Sequence, residues 1–103
     1  MLTIIVPVFN EKKSIRILLR KLIAIKKIKT QIIIVDDGST DGTVKILKNE
    51  FLKIRNINKI IFHKRNMGKG SAIKSAQKFI KGEYVGIQDA DLEYNPKDLI
   101  KIY

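Results

Sequence analysis

The sequence contains no cysteine, a single histidine and no apolar run approaching the roughly 18 residues that a membrane-spanning helix requires. Without cysteine, the chain has neither a disulfide framework nor a thiolate metal site, which agrees with a reducing compartment. The first residues also lack the basic segment that precedes the apolar part of a secretory signal peptide. These absences predict a cytoplasmic protein rather than a secreted or membrane-spanning one.

Acidic residues are also scarce. The chain has 10 Asp plus Glu against 21 Lys plus Arg, which gives a formal net charge of +11. This balance suits a lysine-rich solvated surface, contact with an anionic membrane face, or nucleic-acid binding. The lysines are spread among isoleucines along the whole chain and are not interleaved with aromatic residues. That distribution disfavours a nucleic-acid partner.

The length of 103 residues suits a single compact domain, which we expect to span residues 1–103. Apolar residues make up 45% of the chain and charged residues 30%, as is typical of soluble globular proteins. No repeat, low-complexity segment or linker is visible. Short apolar runs predict strands at residues 2–8, 31–35, 58–63 and 83–88.

Helical stripes of apolar residues separate these strands. The stripes consist of Ile15, Leu18, Leu19 and Leu22; Val44, Leu47, Phe51 and Ile54; and Ala72, Ile73, Ala76, Phe79 and Ile80. Ser39 or Asp41 is a candidate N-cap of the second helix, and Lys81 with Gly82 is predicted to close the third. The alternation predicts an α/β fold with a parallel sheet, right-handed crossovers and helices on both faces.

In such sheets ligands bind at the carboxyl ends of the strands, where the strand order reverses. If the order is 3-2-1-4, that crevice lies between strands one and four. The segments "PVFNE", "VDDGS" and "QDAD" would then line it, and they bring five of the chain's 10 acidic residues to one edge of the sheet. This convergence predicts a ligand site at one edge of the sheet.

Alternating carboxylates follow the fourth strand. Asp89 and Asp91 are two residues apart, so in an extended segment both point to the same side, and Glu93 continues the pattern. Two like charges held together need a cation, and oxygen ligands favour Mg²⁺ or Mn²⁺ over Zn²⁺. The spacing is therefore compatible with a metal site, although so short a pattern also suits an acidic surface loop.

Two other segments each allow two interpretations. Asp36 and Asp37 end the second strand, where a plain turn at Asp37-Gly38 competes with a carboxylate that binds a nucleobase N–H or ribose hydroxyls. Arg65 and Lys69 precede the third helix, whose N-terminal N–H groups can bind an anion. The glycines around Lys69 equally suit a tight turn, and their spacing matches neither a Walker loop nor a dinucleotide fingerprint.

Read together, "IIVPVFNE", "IIIVDDGSTDGT", "RNMGKGSAIKSA" and "GEYVGIQDADLEYNPKDL" resemble the family 2 glycosyltransferases, in particular the dolichol- or polyprenyl-phosphate sugar transferases. The resemblance covers essentially the entire chain, with four motifs in order. It implies a Rossmann-like GT-A fold and a nucleotide-diphospho-sugar donor, such as a UDP- or GDP-sugar. It also implies inversion at the anomeric carbon with a divalent metal, Mg²⁺ or Mn²⁺.

The resemblance also implies roles for individual residues. The positions that would bind the nucleotide-sugar are Pro7, Phe9, Glu11, Val35, Asp37, Asp89, Ala90 and Asp91. Among these, Asp89 and Asp91 match the family's Asp-x-Asp, which contacts ribose and diphosphate through the metal. Glu93 lies where some relatives place another metal ligand.

No general base is assignable among these residues. A hydroxyl acceptor would require one, whereas a lipid phosphate is already largely ionised near neutral pH, since its second pKa is about 6. This favours a polyprenyl or dolichyl phosphate acceptor and gives the basic surface a use at the cytoplasmic face of a membrane.

The catalytic domain of the family normally continues beyond the Asp-x-Asp strand, while this chain stops at "LIKIY". We therefore expect the donor-binding half of such an enzyme, truncated at its C-terminus. Two other functions remain candidates. One is a non-catalytic nucleotide-sugar or RNA-binding module; the other is a receiver-like signalling domain, suggested by the paired acids of "IIIVDDG". In receivers, however, such a pair usually ends the first strand.

Overall fold

The computed structural model describes residues 1–90 and contains one parallel sheet. Its strands are β1 (Leu2–Val8), β2 (Thr30–Asp36), β3 (Ile57–Phe62) and β4 (Tyr84–Ile87). The order across the sheet is β3-β2-β1-β4, which confirms the predicted order, and each strand end lies within one residue of its prediction. A receiver domain has the order 2-1-3-4-5, so this topology contradicts the receiver-like alternative.

The helices connect the strands on both sides of the sheet. They are α1 (Ile15–Ile23), α2 (Thr43–Ile46), which continues as a π-helical segment over Leu47–Phe51, and α3 (Lys69–Gln77). Among residues 1–90, no helix is long and apolar enough to cross a membrane.

Two apolar cores sandwich the sheet because alternate strand residues point to opposite faces. Ile4 and Val6 of β1 pack with α1 and the second helical segment, whereas Ile5 packs beneath α3. The α3 face is the thinner layer, since Ala72 and Ala76 are the buried residues that the helix contributes to it. Burial on both faces explains why the central strands read as continuous runs of β-branched residues.

Two predicted helix ends are wrong. The second helix has Gly42 at its N-cap rather than Ser39 or Asp41. Asp41, which precedes the N-cap residue, still accepts the Thr43 N–H at its carboxylate (3.0 Å). The third helix ends at Gln77, before Phe79. After this end, the Phe79 N–H donates to the carbonyl of Ala76, three residues earlier in the chain (3.0 Å). The side-chain amide of Gln31 donates to the Phe79 carbonyl (2.7 Å).

Candidate functional site

A cleft of about 230 Å³ opens at the carboxyl ends of β1 and β4, where the strand order reverses. Its lining residues are Pro7, Val8, Phe9, Glu11, Asp37, Asn66, Gly68, Lys69, Asp89 and Ala90. Six of the eight residues predicted to bind a nucleotide-sugar are therefore brought together by the topology, from three segments that are far apart in sequence.

The remaining predicted residues are placed differently. Val35 is fully buried beneath α3 with Ile33 and Ala72, so its side chain belongs to the core and does not line the cleft. The reason is the alternation of β2, because Val35 shares its face with Ile33. Asp91 and Glu93 lie outside the described residues.

Asp37 is the most constrained carboxylate in the cleft. Its Oδ1 accepts hydrogen bonds from His63 Nδ1 and the Met67 N–H, and its Oδ2 accepts one from the Gly68 N–H, each at 2.8 Å. Burial alone would raise the pKa of Asp37, but the hydrogen bonds from His63 and the two backbone N–H groups outweigh it and lower that pKa. Asp37 is therefore an ionised acceptor, fixed in orientation.

Asp36 has a different environment, as expected for adjacent strand residues. Its side chain is fully buried, and its Oδ2 accepts the Ser39 N–H at 3.0 Å, which shapes the turn after β2. Its Oδ1 has no hydrogen-bond partner among the described residues. Of the two acids, only Asp37 lines the cleft.

The loops after β1 and β2 are joined by reciprocal hydrogen bonds. Asn10, which has a positive φ of 51°, donates its N–H to Ser39 Oγ (2.9 Å) and accepts the Thr40 N–H at its side-chain oxygen (2.7 Å). The Lys12 N–H donates to the carboxylate of Asp41 (3.1 Å). The turn residues of "DDGSTDG" therefore brace the loop that carries Phe9 and Glu11.

A second brace joins the β1 loop to the segment after β4. Ser14 Oγ lies 2.7 Å from the Ala90 carbonyl and 3.0 Å from Glu11 Oε2. Ser14 is nearly buried, and Ala90 belongs to the core on the α1 side of the sheet. The backbone next to Asp89 is thus anchored while the Asp89 carboxylate itself reaches into the cleft.

Asp89 is paired with a cation. Lys69 Nζ lies 2.6 Å from Asp89 Oδ1, and the two side chains are 54% and 37% exposed. Lys69 is the one cationic residue lining the cleft within residues 1–90. A carboxylate oxygen that already holds a cation at this edge fits the chemistry of an Mg²⁺ or Mn²⁺ ligand. In the same part of the chain, however, no group of three His, Cys, Asp or Glu side chains could hold a metal by itself.

His63 is the main site residue that the sequence analysis did not identify; it is the single histidine of the chain and contacts Asp37. It follows β3, and its N–H donates to the Asp36 carbonyl (2.8 Å), which extends the ladder to the neighbouring strand. Since β3 pairs with β2, the position after β3 lies beside Asp37. The predicted strand order, in which strand three pairs with strand two, already implied that the residue after strand three lies near Asp37.

The cleft lies at the switch point of a parallel 3-2-1-4 sheet, which defines the class of protein as a Rossmann-like α/β domain. A model for glycosyl transferase family 2 matches residues 3–103, and the chain belongs to this family. An uncharacterised protein of Methanocaldococcus jannaschii is 38% identical over 95% of this chain and 43% of its own length. The undecaprenyl-phosphate 4-deoxy-4-formamido-L-arabinose transferase of Photorhabdus laumondii is 32% identical over 97% of this chain and 32% of its own length.

Two solved structures share the fold. S. aureus TarS 1–349 in complex with UDP superposes with a TM-score of 0.76 at 30% identity, over 97% of this chain and 31% of that one. The mannosyltransferase PcManGT from Pyrobaculum calidifontis, in complex with GDP-Man and Mn²⁺, superposes with a TM-score of 0.82 at 26% identity. The match covers 96% of this chain and 30% of that one. The chain spans between 30% and 43% of the length of the curated relatives it matches.

Proposed function

We propose that this chain is the donor-binding half of a glycosyltransferase that takes a nucleotide-diphospho-sugar. The observation that carries the proposal is the single cleft in which Asp37, fixed as an acceptor, and Asp89, paired with a cation, face the same space. One end of that cleft suits a nucleoside and the other a diphosphate. Complexes of the related structures with UDP and with GDP-Man support a UDP- or GDP-sugar as the donor.

Pro7, Phe9, Glu11 and Asp37 form the nucleoside end. Phe9 is 44% exposed where it lines the cleft, so its ring offers an aromatic face to a base. Asp37, an ionised acceptor, selects a ligand N–H or O–H group, such as a nucleobase imide or a ribose hydroxyl.

We assign the diphosphate to Asp89 and Ala90, which line the cleft, and to Asp91, which follows them in sequence. Asp89, Asp91 and Glu93 are the proposed ligands of Mg²⁺ or Mn²⁺. When bound, the metal would supply Lewis-acid stabilisation of the charge that develops on the leaving nucleoside diphosphate. The Mn²⁺ in the PcManGT complex supports this cofactor. Lys69 contributes a second positive charge beside the same position. The reaction is proposed to invert the anomeric carbon.

A polyprenyl or dolichyl phosphate is the proposed acceptor. The three carboxylates that line the cleft within residues 1–90 already have partners, Glu11 with Ser14, Asp37 with His63 and Asp89 with Lys69, and an ionised phosphate oxygen needs no general base. The undecaprenyl-phosphate transferases among the relatives support the same acceptor class.

A lipid acceptor implies a cytoplasmic protein that works at the membrane face, and one surface suits such contact. A groove of about 810 Å³ lies between the edge strand β3 and α3. Its apolar part includes Phe79 and the exposed Met67, and Lys59, Lys74 and Lys78 also line it. This groove, hereafter the β3–α3 groove, combines positive charge with apolar area, as interfacial contact with an anionic bilayer requires.

Calorimetric titration with UDP and GDP, with and without Mn²⁺, tests the donor site. We expect one of these nucleotides to bind in an Mn²⁺-dependent manner and Asp89→Asn to weaken that binding at least about tenfold, because a charged ligand is lost. Glu83→Gln is the matched control, since Glu83 is exposed and does not line the cleft. Binding that needs no metal and is unchanged in Asp89→Asn would contradict the proposal.

A further inference from the structure

His63 is a nearly buried side chain to which the proposed reaction assigns no role. Its imidazole is 10% exposed and bridges two elements. Nδ1 lies 2.8 Å from Asp37 Oδ1, and Nε2 lies 2.8 Å from the hydroxyl of Ser75, which is on α3. Both ring nitrogens therefore have partners, and a ring held at both ends has a fixed orientation.

The two contacts define the direction of the hydrogen bonds. An ionised carboxylate only accepts, so Nδ1 carries a proton and donates to Asp37. In the neutral ring Nε2 is then the acceptor, and Ser75 donates its hydroxyl proton to it. Outer partners of this kind orient an inner residue in the same way that carboxylates orient metal-bound histidines.

Counting acceptor positions shows what this bridge does to Asp37. A carboxylate has about four lone-pair positions, two on each oxygen. Among residues 1–90, Oδ1 accepts from His63 and the Met67 N–H, whereas Oδ2 accepts from the Gly68 N–H. Within this part of the chain one acceptor position therefore remains, and it is on Oδ2.

We infer that His63, oriented by Ser75, is a positioning residue that saturates Oδ1 of Asp37 and leaves a single acceptor position on Oδ2 for a nucleoside N–H or O–H group. The inference rests on the proposed function, because it concerns the nucleoside end of the donor site. It explains why a histidine outside the cleft lining contacts the most constrained acid within it.

The Asp37–His63–Ser75 arrangement has the connectivity of a nucleophilic triad, yet it is not placed for acyl transfer. Ser75 lies inside α3, where the backbone N–H groups around it are used in the helix. An oxyanion hole needs free donors beside the nucleophile. The serine therefore orients the ring and does not attack a substrate.

Two amide variants separate the contacts that His63 makes. In His63→Asn the side-chain N–H can occupy the position of Nδ1 and keep the bond to Asp37, whereas in His63→Gln the amide reaches the position of Nε2. We expect His63→Asn to bind the nucleotide within about threefold of wild type. We expect His63→Gln to bind about 10- to 100-fold more weakly, as for the loss of a hydrogen bond to a charged group.

The experiment measures binding of UDP and UMP, or GDP and GMP, by calorimetry, with thermal melting as the check of folding. His63→Gln should reduce the affinity for the diphosphate and for the monophosphate by the same factor, because the contact between His63 and Asp37 serves the nucleoside. The dependence of nucleotide binding on Mn²⁺ should not change. Ser75→Ala should reduce the nucleotide affinity by a smaller factor than His63→Gln. Ser71→Ala is the control, since Ser71 is on the same helix and does not contact His63.

Equal nucleotide affinity in folded His63→Gln and wild type would overturn the inference and leave the proposed function intact. So would equal losses in His63→Asn and His63→Gln, because the bond to Asp37 would then be irrelevant. If wild type bound neither UDP nor GDP, the proposed function itself would be wrong, and the inference would fall with it.

Discussion

Lys69 has two roles that compete with each other at the residue scale. Its ammonium group is the present partner of Asp89, a proposed metal ligand, and it is also a cation facing the space proposed for the diphosphate. A metal that binds Asp89 must displace this ion pair. The displaced lysine is then free to pair with the diphosphate, so the same side chain opposes metal binding and favours nucleotide binding.

Lys69→Gln should therefore have opposite effects on the two ligands. Removing the competing cation should raise the affinity for Mn²⁺ alone by up to about fivefold, the range for a partly exposed ion pair. The affinity for UDP or GDP in saturating Mn²⁺ should fall, because a positive charge is lost. Titration with Mn²⁺ and then with nucleotide measures both affinities.

Lys64→Gln is the control for Lys69→Gln, because it removes an exposed positive charge from the loop that precedes α3, and Lys64 is not the partner of Asp89. If both variants changed the Mn²⁺ affinity equally, the effect would come from the general field of the protein. The direct competition at Asp89 would then be excluded.

At the same scale, His63 shows why part of the site escaped prediction. Adjacent residues at the end of a strand point to opposite faces, and of Asp36 and Asp37 it is Asp37 that lines the cleft. The contact between His63 and Asp37 follows from the pairing of β3 with β2, which the predicted strand order contained, whereas the contact between His63 and Ser75 depends on the position of Ser75 along α3. Neither is encoded in local spacing around His63.

At the element scale, strand positions were predictable and helix ends were not. The central strands β1 and β2 are apolar runs rich in β-branched residues because both of their faces are buried, so their limits are visible in composition alone. Beyond the end of the third helix, the side-chain amide of Gln31 in β2 donates a hydrogen bond to the Phe79 carbonyl and accepts one from the Lys81 N–H (2.8 Å). A helix end determined by a residue far away in sequence leaves no local signal.

Loop-to-loop packing supports the cleft at Gly38. Its φ of +76° is unfavourable for other residues, and a Cβ there would collide with the backbone of Arg65 and Asn66. Gly38→Ala should therefore lower the free energy of unfolding by roughly 1–3 kcal/mol. The collision should also displace the loop that supplies the Met67 and Gly68 N–H groups to Asp37, so nucleotide affinity should fall as well.

Urea unfolding of Gly38→Ala measures the stability change, and Gly70→Ala is a matched control. Gly70 lies in α3, and a Cβ there has open space, so alanine should stabilise by about 0.5–1 kcal/mol. If both variants behaved alike, the close approach of the two loops at Gly38 would not constrain the fold.

At the scale of the whole molecule, the charge is the dominant property. The chain carries a formal net charge of +11 over its 103 residues, so some attraction to any anionic surface is expected. Specific contact with a membrane differs from this background, because it must concentrate on one face. In the β3–α3 groove, the ammonium groups of Lys59 and Lys78 both lie over the ring of Phe79, at 4.9 and 5.3 Å from its centre.

Charge reversal in this groove should identify the membrane-facing side. We expect the chain to bind vesicles that contain phosphatidylglycerol and to be released as salt rises, because the attraction is screened within a Debye length of about 10 Å at 0.1 M. The triple variant Lys59→Glu, Lys74→Glu, Lys78→Glu should reduce co-sedimentation with vesicles at least tenfold at low salt. Removing three surface attractions of about 1 kcal/mol each accounts for a loss of that size.

The matched variant Lys26→Glu, Lys27→Glu, Lys29→Glu lowers the net charge by the same amount in exposed residues of the segment between α1 and β2, away from the β3–α3 groove. It should retain most vesicle binding, since its charges are not placed beside the apolar part of the groove. Equal losses in the two triple variants would show that only bulk electrostatics acts, and the proposed membrane contact through the β3–α3 groove would be wrong. A face-specific loss would instead orient the donor cleft relative to the bilayer, because β3, α3 and the cleft belong to one sheet-based body.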